Sequence, residues 1–186
     1  GERNLFFAAD EPHAMSPHQP TPRTQQVREA SIRYQATGAT VAAASAIRTP
    51  EIAAAYFRAA LPTDDAREHF AALALDTKHR VIGHYIVSTG ILDAALVHPR
   101  EVFRFGVLAG AHAILIAHTH PSGDPTPSRE DDRLTCRMVN AGALIGIPVR
   151  DHLIVGCTYG RPEPAPIYSY QQSGRLPQPA GSFVLA

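Results

Sequence analysis

The chain has 186 residues, 45% of them hydrophobic and 18% charged, which fits a soluble globular protein with one domain of ordinary size and tails. Basic and acidic residues balance at 17 each, so no global charge draws it to nucleic acid or a membrane surface, although a local basic patch is left open. No apolar run approaches the roughly 20 residues of a bilayer span, and the N-terminus lacks a basic region followed by an apolar stretch, so neither a span nor a secretory signal is expected.

Residues 1–47 read as a Pro-rich leader. Pro12, Pro17, Pro20 and Pro22 are separated by polar residues, and such a stretch buries too little apolar surface to fold. The domain is expected over residues 48–176, with a tail at 177–186. Thr49-Pro50-Glu51 reads as an N-cap with proline at the first helical position. The helix runs to Leu61, its spacing presents Ile52, Ala55, Tyr56 and Ala59 as one face, and Pro62 ends it. His69 to Leu75 reads as a strand, residues 76–79 as a turn, and Arg80 to Ser88 as the returning strand of a hairpin. Gly90 to Val97 suits another short strand. Pro99 opens a second helix over residues 100–110, stopped by Gly110. Ala113 to Ala117 is a short apolar strand buried on both faces. A loop rich in Pro and Gly follows over 118–127. Ser128 starts a third helix reaching Ala141, with Gly142 beyond it. Val149 to Val155 reads as a strand, and residues 167–170 as one more. Helices interleaved with strands predict an α/β domain with a mixed sheet.

Cys136 and Cys157 lie far apart and form no CxxC pair, which argues against a disulfide framework or a four-ligand zinc knuckle and for a reduced, cytoplasmic setting. Ten histidines make incidental His motifs common, so a metal reading needs more than one residue of support. The segment His118-Thr119-His120-Pro121-Ser122-Gly123-Asp124-Pro125-Thr126-Pro127-Ser128-Arg129-Glu130-Asp131 supplies it. Histidines at i and i+2 leaving a strand point to the same side. Asp131 sits in the first turn of the next helix, across a loop stiffened by Pro121, Pro125 and Pro127. Two His and one Asp leave a fourth position open, the catalytic pattern for zinc. Zinc lowers the pKa of a bound water to about 7, and a general base is then needed. Glu68 is the candidate and Glu101 its rival. Ser128 is close enough in sequence to support an oxyanion. Ser128 to Asp131 also fits a capping box, which is compatible with a metal role.

HxHP followed by S-x-x-D, its serine seven residues past the proline, resembles the JAMM motif of the JAB1/MPN metalloproteases. HPSGDPTPSREDD resembles the bacterial RadC branch in particular. So do Glu68-His69-Phe70 with Leu75-Asp76-Thr77-Lys78, Pro99-Arg100-Glu101-Val102, and Asp151 to Gly156. The resemblance covers about residues 49 to 160 and implies a JAB1/MPN-type mixed β-sheet flanked by helices. It implies His118, His120 and Asp131 as zinc ligands, Ser128 as oxyanion support and Glu68 as the base, with Glu101 on the wrong element. RadC-like chains often carry an N-terminal helix-hairpin-helix region, for which residues 1–47 offer no pattern, so the short form is expected.

The leading expectation is a zinc peptidase or isopeptidase acting on a peptide or protein. The alternatives are a nucleic-acid-associated repair accessory or nuclease, with Arg100, Arg104, Arg129, Arg133 and Arg137 as a basic rim, and a non-catalytic scaffold. Asp151 and His152 read as a strand-end hydrogen-bonding pair, with a place behind a ligand histidine as the alternative. Asp124 faces substrate or makes an Asx-turn. Cys136 reads as a buried apolar contact.

Overall fold

The computed structural model describes residues 46–61, 66–90, 97–157 and 166–181. Most of the expected leader, the core of the expected strand at 90–97, and the end of the expected tail lie outside these residues.

The first helix, α1 (Pro50–Ala60), is capped by the Thr49 side chain, which accepts from Ile52 N–H. Its buried face is Ala53, Ala54 and Phe57 rather than the expected Ile52, Ala55, Tyr56 and Ala59. The helix is apolar around most of its circumference, so two stripes fit the periodicity, and the sheet selects the one bearing Phe57. The hairpin forms as expected from β1 (Glu68–Leu75) and β2 (Val81–Gly90). Its turn is fixed by Asp76 Oδ1, which accepts from the N–H groups of Lys78 and Arg80 at 2.8 and 2.9 Å.

The second helix, α2 (Pro99–Leu108), leads into β3 (Ala113–His120). That strand runs three residues further than the apolar run, because Phe70 pairs with His118 on one side and Gly156 with His120 on the other. The third helix, α3 (Arg129–Ile145), passes through Gly142 and ends at Gly146, which is left-handed with φ 81°. Gly142 is a packing residue: a Cβ there would lie 2.6 Å from the Ile147 carbonyl oxygen and 3.0 Å from the Phe103 ring. The chain then forms β4 (Val149–Gly156) and the short β5 (Ile167–Ser169).

The five strands form one mixed sheet in the order β2-β1-β3-β4-β5. β3 is antiparallel to β1 and parallel to β4, so α3 is the crossover of a βαβ unit. On one face, Phe57 of α1 and Leu61 just past its end pack on Ala71, Leu73, Leu115 and Leu153. On the other, Val102 and Phe103 of α2 and Leu134 and Met138 of α3 pack on Phe70, Ala72, Ile114 and Ile116. This is the α/β architecture of a mixed sheet flanked by helices. Alternation along β3 carries the face of Ile114 and Ile116 on to His118 and His120, so both histidines emerge beside the N-terminus of α3.

Candidate metal centre

His118 is fully buried, and Phe70 stacks along its ring at a centroid distance of 6.3 Å and 12° between planes. His120 keeps 15% of its side chain exposed. The two Nε2 atoms lie 2.9 Å apart. Asp131, 2% exposed, comes from the first turn of α3 and places Oδ1 at 3.1 Å from His118 Nε2 and Oδ2 at 3.6 Å from His120 Nε2. One ligand atom from each of the three residues lies within 4.8 Å of the others, a group that could hold a metal ion.

Asp131 meets this site because of how α3 begins. Ser128 is the N-cap, and its N–H and hydroxyl both donate to Asp131 Oδ2 at 2.7 Å. The Asp131 N–H donates back to Ser128 Oγ at 3.2 Å. The capping box and the cation donor are thus the same carboxylate, with Oδ1 turned toward His118.

The loop before α3 holds the outer histidine. The His120 carbonyl accepts from Gly123 N–H at 2.9 Å and from Cys157 N–H at 3.0 Å. His120 Nδ1 lies 2.8 Å from the Asp124 carbonyl oxygen. A carbonyl only accepts, so Nδ1 carries the ring proton and Nε2 offers a lone pair. The Asp124 carboxylate makes an Asx-turn, accepting from Thr126 N–H and Oγ1 at 2.9 and 2.7 Å. Gly156 lets the loop close: a Cβ there would come within 2.5 Å of the Gly123 oxygen.

These donors suit a cation. Imidazole nitrogens and an ionised carboxylate converge on one point, where a positive charge relieves their mutual repulsion. Burial works to raise the Asp131 pKa, but its close contacts with His118 and His120 and the hydrogen bonds from Ser128 outweigh it and hold the carboxyl far below its ordinary range. Burial pushes His118 down despite Asp131. It acts the same way on His120, where the contact with Asp131 prevails and the net displacement is upward.

A cavity of about 550 Å³ opens on the site, lined by Glu68, His120, Pro121, Ser122, Ser128, Glu130 and Asp131. Glu68 and Ser128 therefore share one cavity lining with His120 and Asp131. Glu101 does not join them: it pairs with Arg104 at 2.7 Å on α2 and is absent from that lining. Two sequence expectations need correction. Cys136 is exposed, because the buried stripe of α3 runs through Asp131, Leu134, Thr135, Met138 and Val139 and leaves it outside. His152 is more than a strand-end group: its Nε2 lies 2.9 Å from His118 Nδ1, behind the site. Asp151 does bond strands and turns together, accepting from Ser169 Oγ at 2.6 Å and Gln171 N–H at 2.9 Å.

The sequence model of the RadC-like JAB domain matches residues 47–174. The chain belongs to the RadC-like JAB domain family. Similar proteins include UPF0758 protein STH371 of Symbiobacterium thermophilum, 56% identical over 89 residues, which are 48% of this chain and 38% of that protein. A UPF0758 protein of Desulforudis audaxviator is 47% identical over 110 residues, 59% of this chain and 47% of the other. UPF0758 protein Mbar_A2303 of Methanosarcina barkeri is 48% identical over 90 residues, 48% and 39% of the two chains. This RadC-like JAB domain chain spans less than half the length of these relatives. No helix among its described residues is long and apolar enough to cross a membrane.

Proposed function

We propose that this chain is a zinc-dependent hydrolase, a peptidase or isopeptidase acting on a peptide or protein. The observation that carries the reading is the convergence of His118 with His120 and Asp131, the latter two lining a cavity that also holds Glu68 and Ser128. Asp131 commits Oδ2 to the helix cap, which leaves Oδ1 beside the imidazoles. Two nitrogens and one free carboxylate oxygen are poor in the hard oxygen donors that calcium and magnesium require, and they suit zinc. Bound there, zinc supplies Lewis acidity and lowers the pKa of a water.

The other roles fall to the protein. Glu68, at the start of β1, faces the cavity and takes the proton of the attacking water at its carboxylate, then passes it to the leaving amine. Ser128 donates its hydroxyl proton to Asp131. Turned toward the cavity, the same hydroxyl becomes a donor for the oxyanion, while the Ser128 N–H keeps the carboxylate in place. The basic rim gives little support to a nucleic-acid role, since Arg104 pairs with Glu101 and Arg133 with Glu130.

Elemental mass spectrometry of wild type and of His118→Ala with His120→Ala tests the metal. About one zinc per chain, lost in the double variant, is expected. Glu68→Gln should keep the zinc and lose about 10²- to 10⁴-fold in cleavage of peptide and isopeptide libraries, while Glu101→Gln keeps its activity. Absence of zinc from wild type even after supply would remove the hydrolase reading.

A further inference from the structure

We propose that Thr135 and His152 are positioning residues that lock the tautomer of His118, holding its proton on Nδ1 and leaving Nε2 bare toward His120 and Asp131. The argument starts at a backbone atom. Thr135 lies one helical turn after Asp131, and its Oγ1 is 2.6 Å from the Asp131 carbonyl oxygen. A carbonyl cannot donate, so the hydroxyl proton belongs to that bond. The same Oγ1 lies 2.6 Å from His152 Nδ1. With its own proton committed, the oxygen can only accept, and His152 Nδ1 must carry a hydrogen.

The logic then passes through the ring. His152 is fully buried, where an uncompensated charge is costly, so the ring is neutral with one proton to place. That proton is on Nδ1, so Nε2 is an acceptor. His118 Nδ1, at 2.9 Å, must be the donor. His118 is also fully buried, and its single proton is now assigned. Its Nε2 therefore faces Asp131 Oδ1 and His120 Nε2 with a lone pair.

Neither ring is free to turn over. Tyr170 stacks on His152 at 5.1 Å with 9° between planes, and Phe70 meets it edge-on at 5.9 Å. Tyr170 is itself tethered, its hydroxyl donating to Asp132 Oδ1 at 2.9 Å. Asp131 thus stands at both ends of the device. Its carbonyl starts the hydrogen-bond chain, and its carboxylate is one of the groups the bare nitrogen faces. The outer histidine reaches the same tautomer by a shorter route, through the Asp124 carbonyl.

The inference rests on His118 being a cation ligand only for its use, so the test reads the tautomer first. Two-bond ¹H–¹⁵N correlation spectra of the side-chain imidazoles, recorded on the zinc-free full chain, should show His118 protonated on Nδ1. Thr135→Val keeps the shape and removes the hydroxyl, so His152 and His118 should move toward the opposite tautomers. Thr135→Ser should restore the wild-type pattern. Zinc affinity, measured by chelator competition, should fall about 10- to 100-fold in the Val variant and recover in the Ser variant. A wild-type His118 protonated on Nε2, or a Val variant with unchanged tautomers, would overturn the lock. A wild type that binds no zinc yet keeps the Nδ1–H tautomer upholds the lock and sinks the cation reading instead. Should Thr135→Val fail to fold, His152→Leu, which removes the acceptor of the His118 Nδ1 proton, gives the same spectral readout on His118.

Discussion

The two imidazoles that meet at the candidate metal centre are held by different kinds of structure. His118 is anchored by Phe70 of β1 and His152 of β4, and His152 is held in turn by Thr135 of α3. His120 is anchored by main chain, through the Asp124 carbonyl in a loop of prolines and glycines. The inner ring thus depends on side chains packed around the sheet and the outer ring on a short loop closed against the end of β4. A site built this way keeps one wall fixed while the other borders the cavity.

Asp131 serves both rings, so Asp131→Ala should have the largest effect. Metal retention should drop from about one ion per chain to none, and loss of the cap should cost about 1 kcal/mol of stability. Elemental analysis and urea unfolding read the two. Retention of the metal would mean that the histidines suffice, and the shared wall would lose its importance.

Gly156→Ala addresses the outer ring alone. The new methyl collides with the Gly123 oxygen, and the loop must shift. Apo stability should fall by about 1 to 3 kcal/mol, and zinc should bind more weakly, while the His118 imidazole signals stay in place. Movement of those signals would show that the two anchors are not separable.

The inner ring has a pH signature in the metal-free protein. Burial pushes His118 down and His152 well below the ordinary histidine value. The unfolded chain therefore takes up protons below about pH 6.5 that these two folded rings refuse, and stability must fall as the pH drops. Each ring contributes up to about 1.4 kcal/mol per pH unit. His120 is displaced the other way, but below about pH 6 it is protonated in both states and offsets little, so a net loss of about 1.4 to 2.7 kcal/mol per unit is expected between pH 6 and pH 5. Urea unfolding at several pH values measures it, and a flat profile would contradict the assignment of two neutral buried rings.

Cys136→Ser touches neither anchor. Its side chain is exposed on α3, and a change in stability within about 0.5 kcal/mol is expected by thermal unfolding.

What could be read from the chain beforehand follows the same division. The outer anchor is local: HxH, the prolines and S-x-x-D lie within fourteen residues, and spacing alone brings His118, His120, Ser128 and Asp131 to one strand end and one helix start. Glu68 is distant in sequence; its place at the entry of a strand suggests it, and resemblance to a family supports it over Glu101. The role of His152 was underweighted for a physical reason. It sits opposite Ile116 in the parallel pair, so its contact with His118 is a diagonal one that only strand register reveals. Cys136 was misplaced because residue type suggested burial, whereas the helical stripe through Thr135 and Met138 decides it. The strands and helices among the described residues are legible in the sequence, apart from Gly142, where close packing against Phe103 lets a glycine stand inside a helix.

The order of the sheet also dictates when the centre can come into being. β3 lies between β1 and β4, neither of which adjoins it directly in the chain. It joins β1 only after the hairpin and α2 have been passed, and β4 only after α3 has crossed over. Both closures are long-range, and long-range closures are slow because chain entropy is lost before contacts compensate it. The hairpin can form early, but it carries only Glu68. His118 and His120 are near neighbours in sequence, yet the centre they belong to is among the last parts of the fold to exist.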